Sequence, residues 1–374
     1  MAELHLVADD LTGALDSAGA FARPDAPVQV RWFPVPAAGT PSAYSTETRD
    51  RSADLASRRA TLAGDAARQA TLAGSLIFKK IDSLLRGHVA LELAAFCERL
   101  QPDRVVLAPA HPALGRITRG TRQYARRVDG QLDPVPVPLM EQLQAHGFSS
   151  DDRGGNDPRL VWAEAESEAD LDAVVAREKA LGRSVLWCGS GGLAQALAGP
   201  RQGFLAVPRG RTLAIIGSDH PVANSQVAAI ASQDPDVVIA WRESDRATDL
   251  GVAVERRLSE HQLAVLVPSL GERARDDAAR AIAAMLAALL ETLLRPDVLF
   301  CSGGETLRVV CDALTADGLA CEGFVAEGVP LSRLRGGRWP SLPVMSKSGA
   351  FGSPAAVAEL LCRMPNPPPR RDRR

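Results

Sequence analysis

The sequence predicts an α/β protein of two domains, each with a largely parallel sheet flanked by helices, and an active site in the interdomain cleft. Short apolar runs alternate with longer helix-patterned stretches, which is the signature of strand–helix layering. A stretch rich in turn residues near the middle of the chain separates two such series. The 374 residues also exceed what one hydrophobic core usually supports, since domains run to roughly 100–200 residues.

In the first series the strands fall at Leu4 to Ala8, Val28 to Phe33, Leu76 to Phe78, Val105 to Ala108 and Val185 to Trp187. The breaking stretch follows, with Gly199-Pro200-Arg201-Gln202-Gly203 and then Pro208-Arg209-Gly210. The second series has strands at Leu213 to Ile216, Val237 to Ala240, Ala264 to Val267, Val298 to Phe300, Phe324 to Ala326 and Val344 to Met345. Asp276 to Leu294 is rich in Ala and Leu and free of Gly and Pro, so it predicts a long, largely buried helix. The expected domains are therefore residues 1–203 and 210–363. A disordered tail is expected at 364–374, where the prolines and arginines have nothing to bury.

Composition narrows the function classes. Hydrophobic residues are 46% and charged residues 24%, ordinary for a soluble globular chain. The formal charge of −2 leaves no overall field to hold a nucleic acid or an anionic membrane, so neither is expected as a partner. No apolar run is long enough to span a bilayer, and Met1-Ala2-Glu3-Leu4-His5 lacks a signal-peptide layout, so a cytoplasmic location is expected. The six cysteines contain no CxxC pair and read as reduced and mostly buried; a structural zinc is not expected.

In open α/β sheets ligands bind beyond the carboxyl ends of strands, so polar residues directly after apolar runs are the candidates. Ala8-Asp9-Asp10-Leu11-Thr12-Gly13-Ala14-Leu15-Asp16 places paired carboxylates there. Such a pair takes a proton from a hydroxyl or holds a divalent cation, although Asp10 or Thr12 also fits a helix cap. Asp16, farther into the helix, fits either role. Lys79-Lys80-Ile81-Asp82-Ser83-Leu84-Leu85-Arg86-Gly87-His88 follows another strand, and two of the chain's four lysines lie side by side in it. Lysine offers a compact charge to an anion and arginine a fork for a carboxylate. Pro109-Ala110-His111-Pro112-Ala113-Leu114-Gly115-Arg116 adds an arginine at a third strand end. In the second series Gly217-Ser218-Asp219-His220-Pro221, Cys301-Ser302-Gly303-Gly304-Glu305-Thr306 and Ser346-Lys347-Ser348-Gly349-Ala350-Phe351-Gly352 each follow a strand. Glycines there let backbone N–H groups approach a phosphate. With no GxxxxGK[ST], they point to a nucleotide site that is not a P-loop.

These segments resemble the four-carbon acid sugar kinase family nearly end to end. The resemblance implies a sugar-acid pocket built from Thr12, Lys79, Lys80, Asp82, Ser83, Arg86 and Arg116, with Asp9 and Asp10 as the catalytic pair. It implies ATP contacts at Ser218, at Gly303, Gly304, Glu305 and Thr306, and at Gly349. Leu84 and His88 stand where the family usually has Thr and Asn, and Gly191 where it has Ala. Ser45-Thr46-Glu47-Thr48-Arg49 only faintly echoes the family's arginine-bearing strand end, which leaves Arg49 a poor candidate.

The expected reaction moves the γ-phosphate of ATP, with Mg²⁺, onto a hydroxyl of a four-carbon sugar acid, the terminal 4-hydroxyl being the favoured acceptor. Arg86, Arg116 and one lysine would hold the substrate carboxylate, and Asp9 or Asp10 would accept the hydroxyl proton. A homo-oligomer is a possible assembly. Two other readings compete. Gly189-Ser190-Gly191-Gly192-Leu193-Ala194 fits the GxGxxA of a dinucleotide oxidoreductase, but no acidic residue follows about 20 positions on. A non-catalytic sensor of acidic metabolites is the other.

Overall fold

The computed structural model describes residues 3–34, 42–127, 129–148, 160–271 and 274–362. The tail expected at 364–374 lies outside the described residues. The chain forms two compact units, Met1–Gly203 with Cys321–Gly323, and Phe204–Ala320 with Phe324–Arg374. The architecture is α/β, with mostly parallel strands flanked by helices.

The first unit runs β1 (Leu4–Ala8), α1 (Leu11–Phe21), β2 (Val28–Trp32), β3 (Ser42–Ser45), α2 (Ala53–Leu72), β4 (Leu76–Lys80), α3 (Val89–Leu100) and β5 (Arg104–Ala108). It continues with β6 (Arg116–Arg119), β7 (Arg122–Arg126), β8 (Leu132–Pro134), α4 (Leu139–Ala145), β9 (Leu160–Trp162), α5 (Glu168–Ala180), β10 (Val185–Gly189) and α6 (Gly191–Ala198). Its main sheet has the order β2-β3-β1-β4-β10-β5-β9, with every pairing parallel. Helices cover both faces of such a sheet, so its central strands are apolar at successive positions rather than alternating; β1 and β5 are buried throughout.

One strand of the main sheet, β3, escapes the apolar-run criterion; β9, Leu-Val-Trp, is apolar but only three residues long. Ser42 and Ser45 are polar yet buried, because β3 sits between β1 and β2. The antiparallel sheet β6-β7-β8 was also unforeseen; its strands are arginine-rich and half-exposed, so no apolar run marks them. In α2 the buried positions are Ala56, Ala60, Ala63, Gly64, Ala67 and Ala70, a small-residue line at helical spacing. It lets α3 come close: a Cβ on Gly64 would lie 3.1 Å from Arg99 Cβ.

The second unit runs β11 (Thr212–Ile216), α7 (Pro221–Gln233), β12 (Val238–Trp241), α8 (Ala247–His261), β13 (Leu263–Pro268), α9 (Arg275–Thr292), β14 (Val298–Ser302) and α10 (Gly304–Ala313). Then come β15 (Ala316–Ala326), β16 (Val329–Gly336), β17 (Pro343–Lys347) and α11 (Ala356–Leu361). The order is β12-β13-β11-β14-β17-β16-β15; the first five are mutually parallel, and β16 runs antiparallel to β17. Helix α9 occupies the expected span but is amphipathic rather than largely buried. Leu286, Leu289 and Leu290 form its inner stripe, and Ala284 and Ala288 are exposed. No described helix is long and apolar enough to cross a membrane. None of the six cysteines forms a disulfide, and five are buried.

Strand β4 shows how the fold sorts adjacent residues. Side chains alternate between the faces of a sheet, so Lys79 and Lys80 point opposite ways. Lys79 faces α3, where its Nζ donates to Glu92 Oε2 at 2.5 Å and lies 5.8 Å from the Phe96 ring centroid. Both partners are buried, at 1% and 2% exposure. Thr48 Oγ1 donates to the other Glu92 oxygen at 2.6 Å. Removing one partner of a buried ion pair strands the other charge. Glu92→Ala is therefore expected to destabilise the protein by about 3–5 kcal/mol, and replacing both residues with apolar ones to recover most of that loss. Urea unfolding of the single and double variants checks this; equal losses in both would contradict it.

Candidate functional site

In the first unit β1, β4, β10 and β5 are neighbours, and the register Ala8↔Lys80↔Gly189↔Ala108 brings their carboxyl ends level. The segments that follow, Asp9-Asp10, Ile81-Asp82-Ser83, Ser190-Gly191 and Pro109-Ala110-His111, therefore line one sheet edge. Asp10 caps α1: its Oδ1 accepts from Gly13 N at 2.8 Å and its Oδ2 from Thr12 Oγ1 at 2.6 Å. Capping and ligand contact, alternatives in the sequence, thus converge on one carboxylate.

Arg49 organises this edge. Its Nε and Nη2 donate to the two oxygens of Asp9 at 2.7 and 2.9 Å, and its Nη1 lies 2.7 Å from Asp10 Oδ2. Asp82 Oδ1 stands 3.9 Å away. Burial opposes the charge on Arg49, but Asp10, Asp9 and Asp82 together hold its pKa well above the ordinary value. Burial likewise works to raise the Asp9 pKa; the charge and hydrogen bonds of Arg49, aided by Lys79 and Lys80, outweigh it and hold the carboxyl below its usual value. Asp82 is also depressed, because Arg49 and the fork of Arg86 overcome its burial. Arg86 donates to both Asp82 oxygens at 2.8 Å. Gly87, at φ +87, passes the chain beside this cluster, where a Cβ would lie 3.3 Å from Asp9 Oδ2.

Lys80 lies on the opposite face of the strand from Lys79. Its Nζ lies 3.2 Å from where a Cβ on Gly13 would sit, so the glycine makes room for it. Ser83 is buried and its hydroxyl has no hydrogen-bond partner, as is also true of Arg116 Nε. Burial lowers the Arg116 pKa, and Asp82 partly offsets this. Gln123 fixes this wall by donating to Ser83 O at 2.9 Å and Pro109 O at 3.2 Å.

The second unit presents a different surface at the ends of the adjacent strands β11, β14 and β17. A Cβ on Gly217 would collide with Thr306 Oγ1, and one on Gly349 with Ser218 Oγ. Gly303 has φ +106, and a Cβ there would lie 3.2 Å from Thr306 Oγ1. Ser218, Gly303, Thr306 and Gly349 therefore form one cradle from which any extra side chain is excluded. Helix α10 opens at Gly304 beside it with no side-chain cap on its first N–H groups, an arrangement suited to an anion. Lys347 ties the loop below: its Nζ donates to Ser348 O at 2.7 Å and Phe351 O at 2.8 Å, and burial brings its pKa down to about 8.

Of the residues singled out from sequence, hydrogen bonds and ion pairs connect Asp9, Asp10, Thr12, Asp82 and Arg86 through Arg49. Lys80, Ser83 and Arg116 belong to the same edge, whereas Lys79 faces α3. Glu305 is exposed in the first turn of α10. Arg49 and Glu92 carry more of the arrangement than the sequence indicated. Arg49 follows a strand with no apolar run, and Glu92 lies inside a helix, so neither had a strand-end signal. The glycines of Gly189 to Gly192 are accounted for by packing. A Cβ would meet Ala108 O at Gly189, Asp16 Oδ2 at Gly191, and Ala110 O at 2.6 Å at Gly192. No group of three or more His, Cys, Asp or Glu suited to hold a metal ion occurs among the described residues.

Comparison with known proteins follows the same division. A sugar-binding N-terminal domain matches residues 4–152, and a nucleotide-binding C-terminal domain matches residues 213–357. The chain is 29% identical to a Bordetella bronchiseptica protein named D-threonate kinase, over 93% of this chain and 94% of that one. It is 26% identical to a Heliobacterium modesticaldum protein named D-erythronate kinase, over 96% of each. Among solved structures, one from Salmonella typhimurium LT2 superposes with a TM-score of 0.70 at 20% identity, covering 96% of this chain and 99% of that one. A Haemophilus influenzae protein of the DUF1537 family does so with 0.63 at 16%, over 96% and 99%. Those two likenesses concern the fold. With both domain families matched in order and the fold shared, the chain belongs to the four-carbon acid sugar kinase family.

Proposed function

We propose that this protein is a kinase that transfers the γ-phosphate of ATP to a hydroxyl of a four-carbon sugar acid such as threonate, erythronate or 3-oxo-tetronate, with the terminal 4-hydroxyl as acceptor. The observation that carries this reading is the pairing of two chemically distinct surfaces on one chain. One is a strand edge where cations stand among carboxylates; the other is a glycine-lined cradle at a helix N-terminus. The names of the relatives support the same reaction class.

A small sugar acid offers one carboxylate and several hydroxyls. Arg86 and Arg116 supply charge for the carboxylate and Lys80 charge for the arriving phosphoryl group, and the Ser83 hydroxyl and Arg116 Nε, unpartnered among the described residues, are buried hydrogen-bonding groups that a ligand would satisfy. Asp9 and Asp10, held by Arg49, orient the reacting end of the acid by accepting from its hydroxyls. On the nucleotide side, Gly303, Gly304 and Gly349 admit the phosphates close to the backbone, Ser218 and Thr306 offer hydroxyls, and Glu305 flanks them. Phosphoryl transfer depends mainly on positioning and charge neutralisation. Mg²⁺ arriving on the nucleotide phosphates would supply the latter, with the exposed Glu305 the acidic side chain nearest the cradle in sequence.

Three outcomes are expected. ADP release measured with D-threonate, L-threonate, D-erythronate and 3-oxo-tetronate should be acid-dependent for at least one of them and require Mg²⁺; no ADP with any acid would end the kinase reading. Arg116→Ala, losing a charge-assisted hydrogen bond of about 1.5–3 kcal/mol, should raise KM for the acid roughly 10- to 100-fold and leave KM for ATP little changed. Gly349→Ala should do the reverse, raising KM for ATP about tenfold or more, or ~1.4 kcal/mol, because the new methyl displaces Ser218. Equal effects on both substrates would count against separate acid and nucleotide surfaces.

A further inference from the structure

Four acidic side chains collect at the strand ends of the first unit, and three are already engaged. Both Asp9 oxygens accept from Arg49, Asp10 accepts from Thr12, Gly13 N and Arg49, and Asp82 accepts from the Arg86 fork. Asp16 differs. Its carboxylate takes no hydrogen bond and joins no ion pair among the described residues, and its side chain is only partly buried. It lies three residues beyond Gly13, on the same face of α1, and Gly13 is the residue over which Lys80 Nζ sits.

The surroundings hold the Asp16 carboxylate in this place. Its Oδ2 occupies the space that a Cβ on Gly191 would need, and His111 Cε1 is 2.9 Å from that same point. The charged or titratable groups around it are Asp10 on its own helix, Lys80 at the end of β4, Asp82 just beyond, and His111 after β5; α6 contributes the uncharged Gly191. Lys80 is nearly fully buried, yet its ammonium makes no hydrogen bond or ion pair among the described residues. An acceptor and a cation, both unspent, thus lie beside a helix face that glycine keeps open.

We infer that Asp16 is the proton acceptor of the phosphoryl transfer, with Lys80 beside it as the cation that neutralises charge on the transferred phosphoryl group; this rests on the kinase reading. As the substrate oxygen bonds to the γ-phosphorus, the bond from that phosphorus to the β–γ bridging oxygen breaks. ADP leaves with that electron pair. The hydroxyl proton passes to an Asp16 oxygen, and from there to water once the phosphorylated acid departs. Sequence placed this role on Asp9 or Asp10, but Asp9, held below its usual pKa by Arg49, has little affinity for a proton, and both Asp10 oxygens are already engaged by Gly13 N, Thr12 and Arg49. Burial, reinforced by Asp10 and Asp82 and opposed by Lys80, instead pushes Asp16 up to about 6, close to where a base works best at neutral pH.

The pH dependence has a definite sign. A group with a native pKa of about 6 against an ordinary 3.8 binds its proton more tightly when folded, so the ionised form at pH 7.5 costs stability. Asp16→Asn should therefore lower kcat about 10²- to 10⁴-fold, the usual contribution of a general base, with a melting temperature at pH 7.5 no lower than wild type. Wild-type kcat/KM should fall below about pH 6, and the residual activity of Asp16→Asn should lack that limb. Asp10→Asn, which removes a neighbouring negative charge, should shift the limb to lower pH while retaining it. Asp16→Glu is the second variant and should recover part of the activity. Wild-type kcat in Asp16→Asn with the acid limb intact would overturn the assignment and leave the kinase reading standing. A wild-type protein that releases no ADP with any four-carbon acid would overturn both.

Discussion

Arg49 brings one positive charge to a place where three carboxylates converge, and the arrangement of the first unit's strand ends depends on it. Two unit charges 4 Å apart interact by roughly 4 kcal/mol at the effective dielectric of a protein surface, so carboxylates gathered as closely as Asp9, Asp10 and Asp82 need a shared counter-ion. Asp9 receives the fork from one side and Asp10 a single N–H from the other. Backbone bonds fix the geometry, since the N–H groups of Thr48 and Arg49 both donate to Asp9 O. The short polar strand β3 thereby delivers its arginine to the end of β1. The acid cluster is a consequence of sheet order as much as of local sequence.

The second unit offers a different kind of surface at its strand ends. Its surface brings together glycines, two hydroxyls and the start of α10. Lys347 is close in sequence but is turned to the loop carbonyls of Ser348 and Phe351, and Gln226 reinforces the same loop by donating to Phe351 O and Ser353 O. Backbone N–H groups bind a phosphate without long side chains that must be ordered. The loop must then be held by its own buried contacts, which is where Lys347 and Gln226 act.

Much of this was legible in the sequence because parallel strands buried on both faces announce themselves as apolar runs. Leu4 to Ala8, Val105 to Ala108 and Leu213 to Ile216 are such cases, and the polar residues just after them fell where the sheet edge is. The signal failed where burial and polarity coincide. Ser42 to Ser45 is a central strand of serines, Ala and Tyr; Arg116 to Arg126 forms strands without an apolar face; Leu319 to Cys321 is a buried part of a strand longer than its apolar core suggested. The lysine pair shows the same limit at finer grain. Two residues adjacent in a motif read as one feature until the alternation of a strand assigns one to an ion pair with α3 and the other to the side of Gly13 and α1. Arg49 and Glu92 were hidden for a related reason, since each matters through a partner about 40 or 13 positions away.

The distribution of the four lysines has an effect on the outer surface. Lys79, Lys80 and Lys347 are buried, and only Lys179 is exposed. The remaining positive charge on the outside is therefore guanidinium, which keeps its proton across the whole working range of pH. Amine-directed labels would find Lys179 as the one exposed lysine, so that modification of any second lysine would report on the interior opening.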